Sequence, residues 1–149
     1  MSDTAIHRLV RDCRKGVHPS CVTRMPSGWV ILAERQVLPG YCLLLPDPVV
    51  PHLNALDGAV RAAFLADMAT VGDALLALTG AIRINYAIFG NQEPALHAHV
   101  FPRYADEPAS MRTVQPWALD WAAAPDCSQD MYGELKVRLQ EAIESVQRA

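Results

Sequence analysis

The chain has 149 residues, 51% of them hydrophobic and 19% charged, which excludes a disordered or low-complexity protein. It suits a single domain spanning residues 1–149 with a substantial core. A net charge of −3 argues against a surface that coats nucleic acid, although a small anion needs only local donors.

Residues Thr4 to Arg14 are expected to form a short amphipathic helix with Ile6, Leu9, Val10 and Cys13 on one side, ended by Gly16 and Pro19. A β region follows. Cys21 to Met25 reads as a strand, Pro26-Ser27-Gly28 as a turn, and Trp29 to Ala33 as a second strand. Pro39-Gly40 marks another turn, and Tyr41 to Leu45 a third strand that Pro46-Asp47-Pro48 interrupts. Asp57 to Leu78 is the clearest helix, because Val60, Phe64, Met68, Val71, Leu75 and Leu78 recur at steps of three and four. Gly80 closes it. Ile82 to Phe89 alternates, with Ile82, Ile84, Tyr86 and Ile88 on one side and Arg83, Asn85, Ala87 and Phe89 on the other. Gly90 to Pro94 is a tight polar connection into the run around His97 and His99. Asp106 to Cys127, with Trp117 and Trp121, is expected to be a packed irregular segment, and Asp130 to Arg148 a last helix striped by Leu135, Leu139, Ile143 and Val146. The pattern predicts an α+β domain with a mainly antiparallel sheet.

The opening Met1-Ser2-Asp3-Thr4 has no basic region before an apolar run, and no apolar stretch reads as long enough to span a bilayer. No membrane partner and a cytoplasmic location are therefore expected. The cysteines Cys13, Cys21, Cys42 and Cys127 form no CxxC pair, and a reducing compartment leaves them as thiols. Cys13, His18 and Cys21 are not spaced as a standard zinc knuckle, so they read as small hydrophobes or surface thiols, and no metal or cofactor is assigned. His7, His18 and His52 are isolated and read as surface residues, and Asp106 with Glu107 as a solvated acidic turn.

His97 and His99 carry the chemistry. On a β-strand, residues two apart project from one face, so the two imidazoles would share it while Leu96, Ala98 and Val100 pack a helix on the other. Paired imidazoles on an open face suit nucleophilic or acid–base work near neutral pH, or else are satisfied histidines on a polar face.

The run Leu96-His97-Ala98-His99-Val100-Phe101-Pro102-Arg103-Tyr104, preceded by Asn85-Tyr86-Ala87-Ile88-Phe89-Gly90-Asn91, resembles the histidine triad family of nucleotide hydrolases and transferases. The upstream Gln36-Val37-Leu38-Pro39-Gly40-Tyr41 is similar to that family's early hairpin, and the resemblance spans about Trp29 to Tyr104 in order, nearest to bacterial members of the diadenosine polyphosphate hydrolase type. It implies a sheet of about five antiparallel strands with the long helix on one face, a C-terminal helix, and a two-fold homodimer. It also implies hydrolysis or transfer at a nucleoside-phosphate bond, of the dinucleoside polyphosphate or phosphoramidate type, with a nucleotide or dinucleotide as partner. His97 maps to the nucleophile that forms a nucleotidyl-histidine intermediate, and His99 to the histidine that holds the phosphate oxygens.

Two positions depart from the family pattern. Ala95 stands where the first histidine of the triad is expected, and loss of one such donor typically costs about 10²–10³ in rate. Tyr41 stands where many members carry a histidine that orients the nucleophilic ring, and a phenol can still donate one hydrogen bond. A nucleotide-binding protein with weak or no catalysis is the alternative that these departures raise. A third reading is a zinc-binding interaction module built on His97, His99 and a distant cysteine.

Other candidates are placed partly by the resemblance. Asn85 falls near the histidines if its strand pairs with theirs, to bind phosphate or sugar, or else it is a polar residue on a solvated face. Asn91 and Gln92 lie in the loop where the family places phosphate-contacting groups, or serve plain turn chemistry. Glu34 and Gln36 fall near the family's ribose contact. Trp29, Ile31, Leu43, Leu45, Phe89 and Phe101 are candidates for an apolar base pocket or for core, and Arg103 offers a cation to a polyphosphate or, as the favoured reading, simply pairs at a strand end.

Overall fold

A computed structural model describes residues 2–149. Five strands, β1 (Cys21–Met25), β2 (Gly28–Leu32), β3 (Cys42–Pro46), β4 (Arg83–Ala87) and β5 (Ala98–Arg103), form one sheet in the order β1-β2-β3-β5-β4, every neighbouring pair antiparallel. The helices are α1 (Ala5–Lys15), α2 (Gly58–Thr79) and α3 (Gln129–Arg148). The expected α+β architecture is therefore present, with boundaries shifted by a residue or two.

Strand alternation divides the side chains between two layers. Val30, Leu44, Ala98 and Val100 face α2 and α3, where Phe64, Val71, Leu75, Leu139 and Ile143 complete the main core. Each such fully buried side chain contributes roughly 1.5–3 kcal/mol by leaving water. Leu96 joins this core as its spacing from Ala98 and Val100 predicts. The opposite face is covered in two patches. Helix α1 lays Ile6, Val10 and Cys13 over Ile31, Leu45 and Ala95. Leu119 and Trp121, from the irregular segment before α3, pack on Ala33, Leu38, Tyr41 and Phe101.

Local chemistry fixes the elements at their ends. Thr4 and His7 form a capping box at the start of α1, so His7 is a cap residue rather than an idle surface group. Gly16 ends α1 in the left-handed conformation, as expected. The Gln36 amide is buried and spans the β2–β3 connection, donating to the Ala33 and Tyr41 carbonyls and accepting from the Gly40 N–H. This binds the connection together and removes Gln36 from any ribose contact.

Three further expectations are corrected. By length and mean hydropathy alone α2 is apolar enough to cross a membrane, contrary to the sequence reading. Its place is that of a core helix: Phe64, Val71 and Leu75 lie over the sheet, and the buried Asp67 carboxylate accepts from the Ser27 N–H and hydroxyl. Glu107 is not a solvated acid. It pairs with the buried Arg103 at 2.7 Å, and Arg103 also donates to Asn85 Oδ1 and the carbonyls of Met111 and Val114. Trp29, Ile31 and Leu45 lie in the α1 cluster, where helix and strand side chains fill the space a base pocket would need.

Candidate active site

The residues that the motif singled out meet at one end of β5. His99 is on the strand, paired opposite Leu43 of β3 and Ala87 of β4. His97 falls just before the strand begins, in a segment anchored by the Leu96 N–H on the Val50 carbonyl. The two rings nevertheless converge, with centroids 4.9 Å apart. They line a cleft of about 610 Å³ together with Tyr41, Asn91, Gln92 and Trp117.

His97 is buried, and its Nδ1 lies 2.8 Å from the Ala95 carbonyl oxygen. A carbonyl only accepts, so Nδ1 carries a proton, and in the neutral ring the lone pair is then on Nε2. A nucleophilic imidazole needs that tautomer. The position of the missing histidine thus acts through its backbone, whatever its side chain.

His99 is held differently. Its Nδ1 is 2.6 Å from the Tyr41 hydroxyl. Burial, with His97 close by, pushes the His99 pKa down to about 4, so the ring is neutral at physiological pH. Burial likewise raises the Tyr41 phenol, which keeps its proton. Tyr41 stacks on Phe101 at 4.1 Å, and Trp121 meets it edge-on, so the hydroxyl is fixed by a packed aromatic group. The phenol therefore touches the second histidine and not the expected nucleophile.

The remaining candidates separate. Asn91 and Gln92 are exposed on the cleft wall. Asn85 shares the histidine face, opposite Phe101, but its side-chain oxygen accepts from Arg103 at 3.0 Å. Glu34 is exposed and lies outside the residues that line the histidine cleft. Ala95 is fully buried under α1 and offers no donor. Trp117 is what sequence reasoning missed. It stands edge-on to His99 at 4.9 Å, and only its position in a segment without helical or strand periodicity marked it beforehand. No group of three His, Cys, Asp or Glu side chains among the described residues is placed to hold a metal ion.

No protein-family model matches the sequence, and no curated protein does. Solved structures do. A histidine triad protein of Marinobacter aquaeolei superposes with a TM-score of 0.75 at 18% identity, covering 97% of this chain and 98% of its own. One of Bradyrhizobium japonicum gives 0.71 at 23% identity, over 83% of this chain and 89% of its own. A hypothetical histidine triad nucleotide-binding protein of Sulfolobus tokodaii gives 0.72 at 16%, over 95% and 94%. These likenesses, together with the strand order and the paired histidines at the head of β5, identify the fold as that of the histidine triad proteins.

Proposed function

We propose that this protein hydrolyses or transfers a nucleoside-phosphate bond through a covalent intermediate on His97. The observation that carries the reading is the Nδ1 contact of His97 with the Ala95 carbonyl, inside a cleft shared with a neutral His99. His97 Nε2 attacks the α-phosphorus, a P–N bond forms, and the bond to the leaving group breaks with its electron pair. Water then attacks phosphorus, the P–N bond breaks, and the proton lost by water is released to solvent. Tyr41 donates to His99 Nδ1, which leaves the His99 Nε2–H to steady the phosphoryl oxygens as their charge grows. Asn91 and Gln92 stand on the same wall as further donors.

Incubation with adenosine 5′-phosphoramidate or diadenosine polyphosphate, quenched and analysed by mass spectrometry, is expected to show a nucleotidyl adduct on His97 that H97A lacks. Turnover that survives H97A overturns the mechanism. The buried Ala95 favours a second reading, nucleotide binding with little catalysis, because no side-chain donor occupies that position. Nucleotide binding without any adduct would select it.

The same reading includes a homodimer. Strand β4 is one of the two sheet edges, and Tyr86 on it packs against Gly72 of α2, where a Cβ would lie 2.0 Å from the phenolic oxygen. Leu65 and Leu76, on the same stripe of α2 as Gly72, are exposed beside this edge. A second copy paired through β4 would continue the sheet and cover the stripe.

A further inference from the structure

Two of the four cysteines lie outside the histidine cleft and meet each other. Helix α1 carries Cys13 on its buried side, and β1 opens with Cys21. Between them the chain reverses through Gly16, with the Val17 N–H on the Asp12 carbonyl and the Cys21 N–H on the His18 carbonyl. This return packs Cys21 against the cluster that holds Cys13, Ile31, Leu45 and Ala95. There the Cys13 thiol donates to the Cys21 sulfur.

The two thiols differ in access and in charge. Cys13 is buried, and its bond to Cys21 together with burial pushes its pKa up, so it keeps its proton. Cys21 is only half-buried. The donated Cys13 proton lowers its pKa against the effect of burial, and the Lys136 ammonium adds to this. A thiolate is the reactive form of cysteine, and partly exposed thiols beside donors or cations reach it, whereas buried ones stay inert. The other two cysteines are bonded to oxygen, not to a second thiol. Cys42 is fully buried and donates to the Gly40 carbonyl at 3.3 Å, and the Cys127 sulfur accepts from the Ser20 hydroxyl at 3.6 Å.

We propose that Cys13 and Cys21 form a redox-active dithiol, in which Cys21 attacks a hydroperoxide and Cys13 resolves the product as an intramolecular disulfide. With hydrogen peroxide, the Cys21 sulfur bonds to one oxygen, the O–O bond breaks, and the departing hydroxide takes up the proton that Cys21 lost. Cys21 is then a sulfenic acid. The Cys13 sulfur displaces its hydroxyl, the S–S bond forms, and the Cys13 proton leaves with that hydroxyl as a second water. Two electrons pass from the sulfurs to the peroxide. The new bond closes the chain reversal and fastens α1 to the sheet. That helix covers Ala95, and its Ala5 N–H holds the carboxylate of Glu93, a residue of the histidine cleft, at 3.2 Å. The tie therefore steadies a neighbour of the cleft without consuming any group in it, and it stands independently of the function proposed above.

Reduced protein, treated with a small excess of hydrogen peroxide and digested with trypsin without reductant, is expected to yield Asp12–Arg14 joined to Gly16–Arg24. Dithiothreitol should separate the two peptides. C13A should instead accumulate a sulfenic acid on Cys21, captured by dimedone, while C21A should leave Cys13 unmodified. Peroxide should also raise the urea midpoint of wild type, by on the order of 1 M, and leave that of C21A where it was. The wild-type peptide map depends on neither variant, so a variant that folds poorly does not shield the proposal. Wild type that keeps Cys13 and Cys21 as thiols, or that joins either one to Cys42 or Cys127, overturns it. A sulfenic acid on Cys13 in C21A, with none on Cys21 in C13A, overturns the assignment of the attacking sulfur.

Discussion

At His99 two neighbours act on one ring, and each has a measurable consequence. Burial, with His97 beside it, moves its pKa from 6.5 down to about 4. Between those values the unfolded chain binds a proton that the native chain does not, so stability falls as pH is lowered through that window. In H99Q this contribution is absent. Denaturant midpoints at about pH 7 and about pH 4.5 should therefore differ less in H99Q than in wild type, and an equal difference would refute the depressed pKa. The Tyr41 hydroxyl adds the second effect. Donating to Nδ1 stabilises the neutral ring, so Y41F should raise the His99 pKa, read by NMR of the imidazole, and lower kcat more than it changes KM. A pKa that stays or falls would mean that His99 donates instead. Much of this site was legible in advance, since the spacing of His97 and His99 placed both rings together. The role of Tyr41 was not, because its partner depends on which strands are adjacent, and β3 pairs with β5 only in three dimensions. The β2–β3 connection was opaque for a related reason: no periodicity there says which side chains turn inward, and Gln36 and Leu38 do while Glu34 stays exposed.

Between elements, α1 and the segment after β5 decide what the sheet face can hold. Ala95 is packed among Ile6, Val10 and Cys13 of α1 and Ile31 and Leu45 of the sheet, with no exposed surface. An imidazole there overfills a closed cluster, at a cost of about 1–3 kcal/mol. A95H should lower Tm by several degrees, about 2–4 °C for each kcal/mol, without raising turnover. A stable A95H with faster turnover would show that the alanine alone limits the reaction. The Arg103–Glu107 pair governs the other segment. Burial alone would raise the Glu107 carboxyl, but the Arg103 guanidinium and the Tyr104 N–H together hold it below the usual range. Its stabilising contribution is thus present above the ordinary carboxyl pKa and fades as pH drops through the lowered value. E107Q leaves a buried guanidinium without its counter-charge, and a loss of about 3 kcal/mol is expected in urea unfolding. Earlier protease cleavage between β5 and Trp117 should accompany it. Helices and strands were readable from period and caps, as in α2, whose stripe held at Phe64, Val71 and Leu75 while Val60 at its end is exposed. The Glu107 pairing was not readable, because short range in sequence says nothing of whether an acidic turn is covered.

Taken as a whole molecule, the sheet is covered by helix and loop on its two faces and ends in two edge strands, β1 and β4, of which β4 lies beside exposed apolar side chains. The edge carries Ile82 and Tyr86, 62% and 42% exposed, beside Leu65 and Leu76 of α2. An unpaired strand flanked by apolar side chains invites another strand, and single proteins usually blunt such edges with charge, proline or a covering loop. Here Arg83 is the only charged residue of β4, at one end, and an antiparallel two-fold pairing would set it away from its symmetry mate. The sheet would then run continuously across both copies, with the α2 stripes meeting above it. The histidine clefts would lie on the opposite face of the sheet. Sedimentation should therefore show a dimer, and Y86K with L76D should convert it to a folded monomer. A wild-type monomer in sedimentation would sink the pairing.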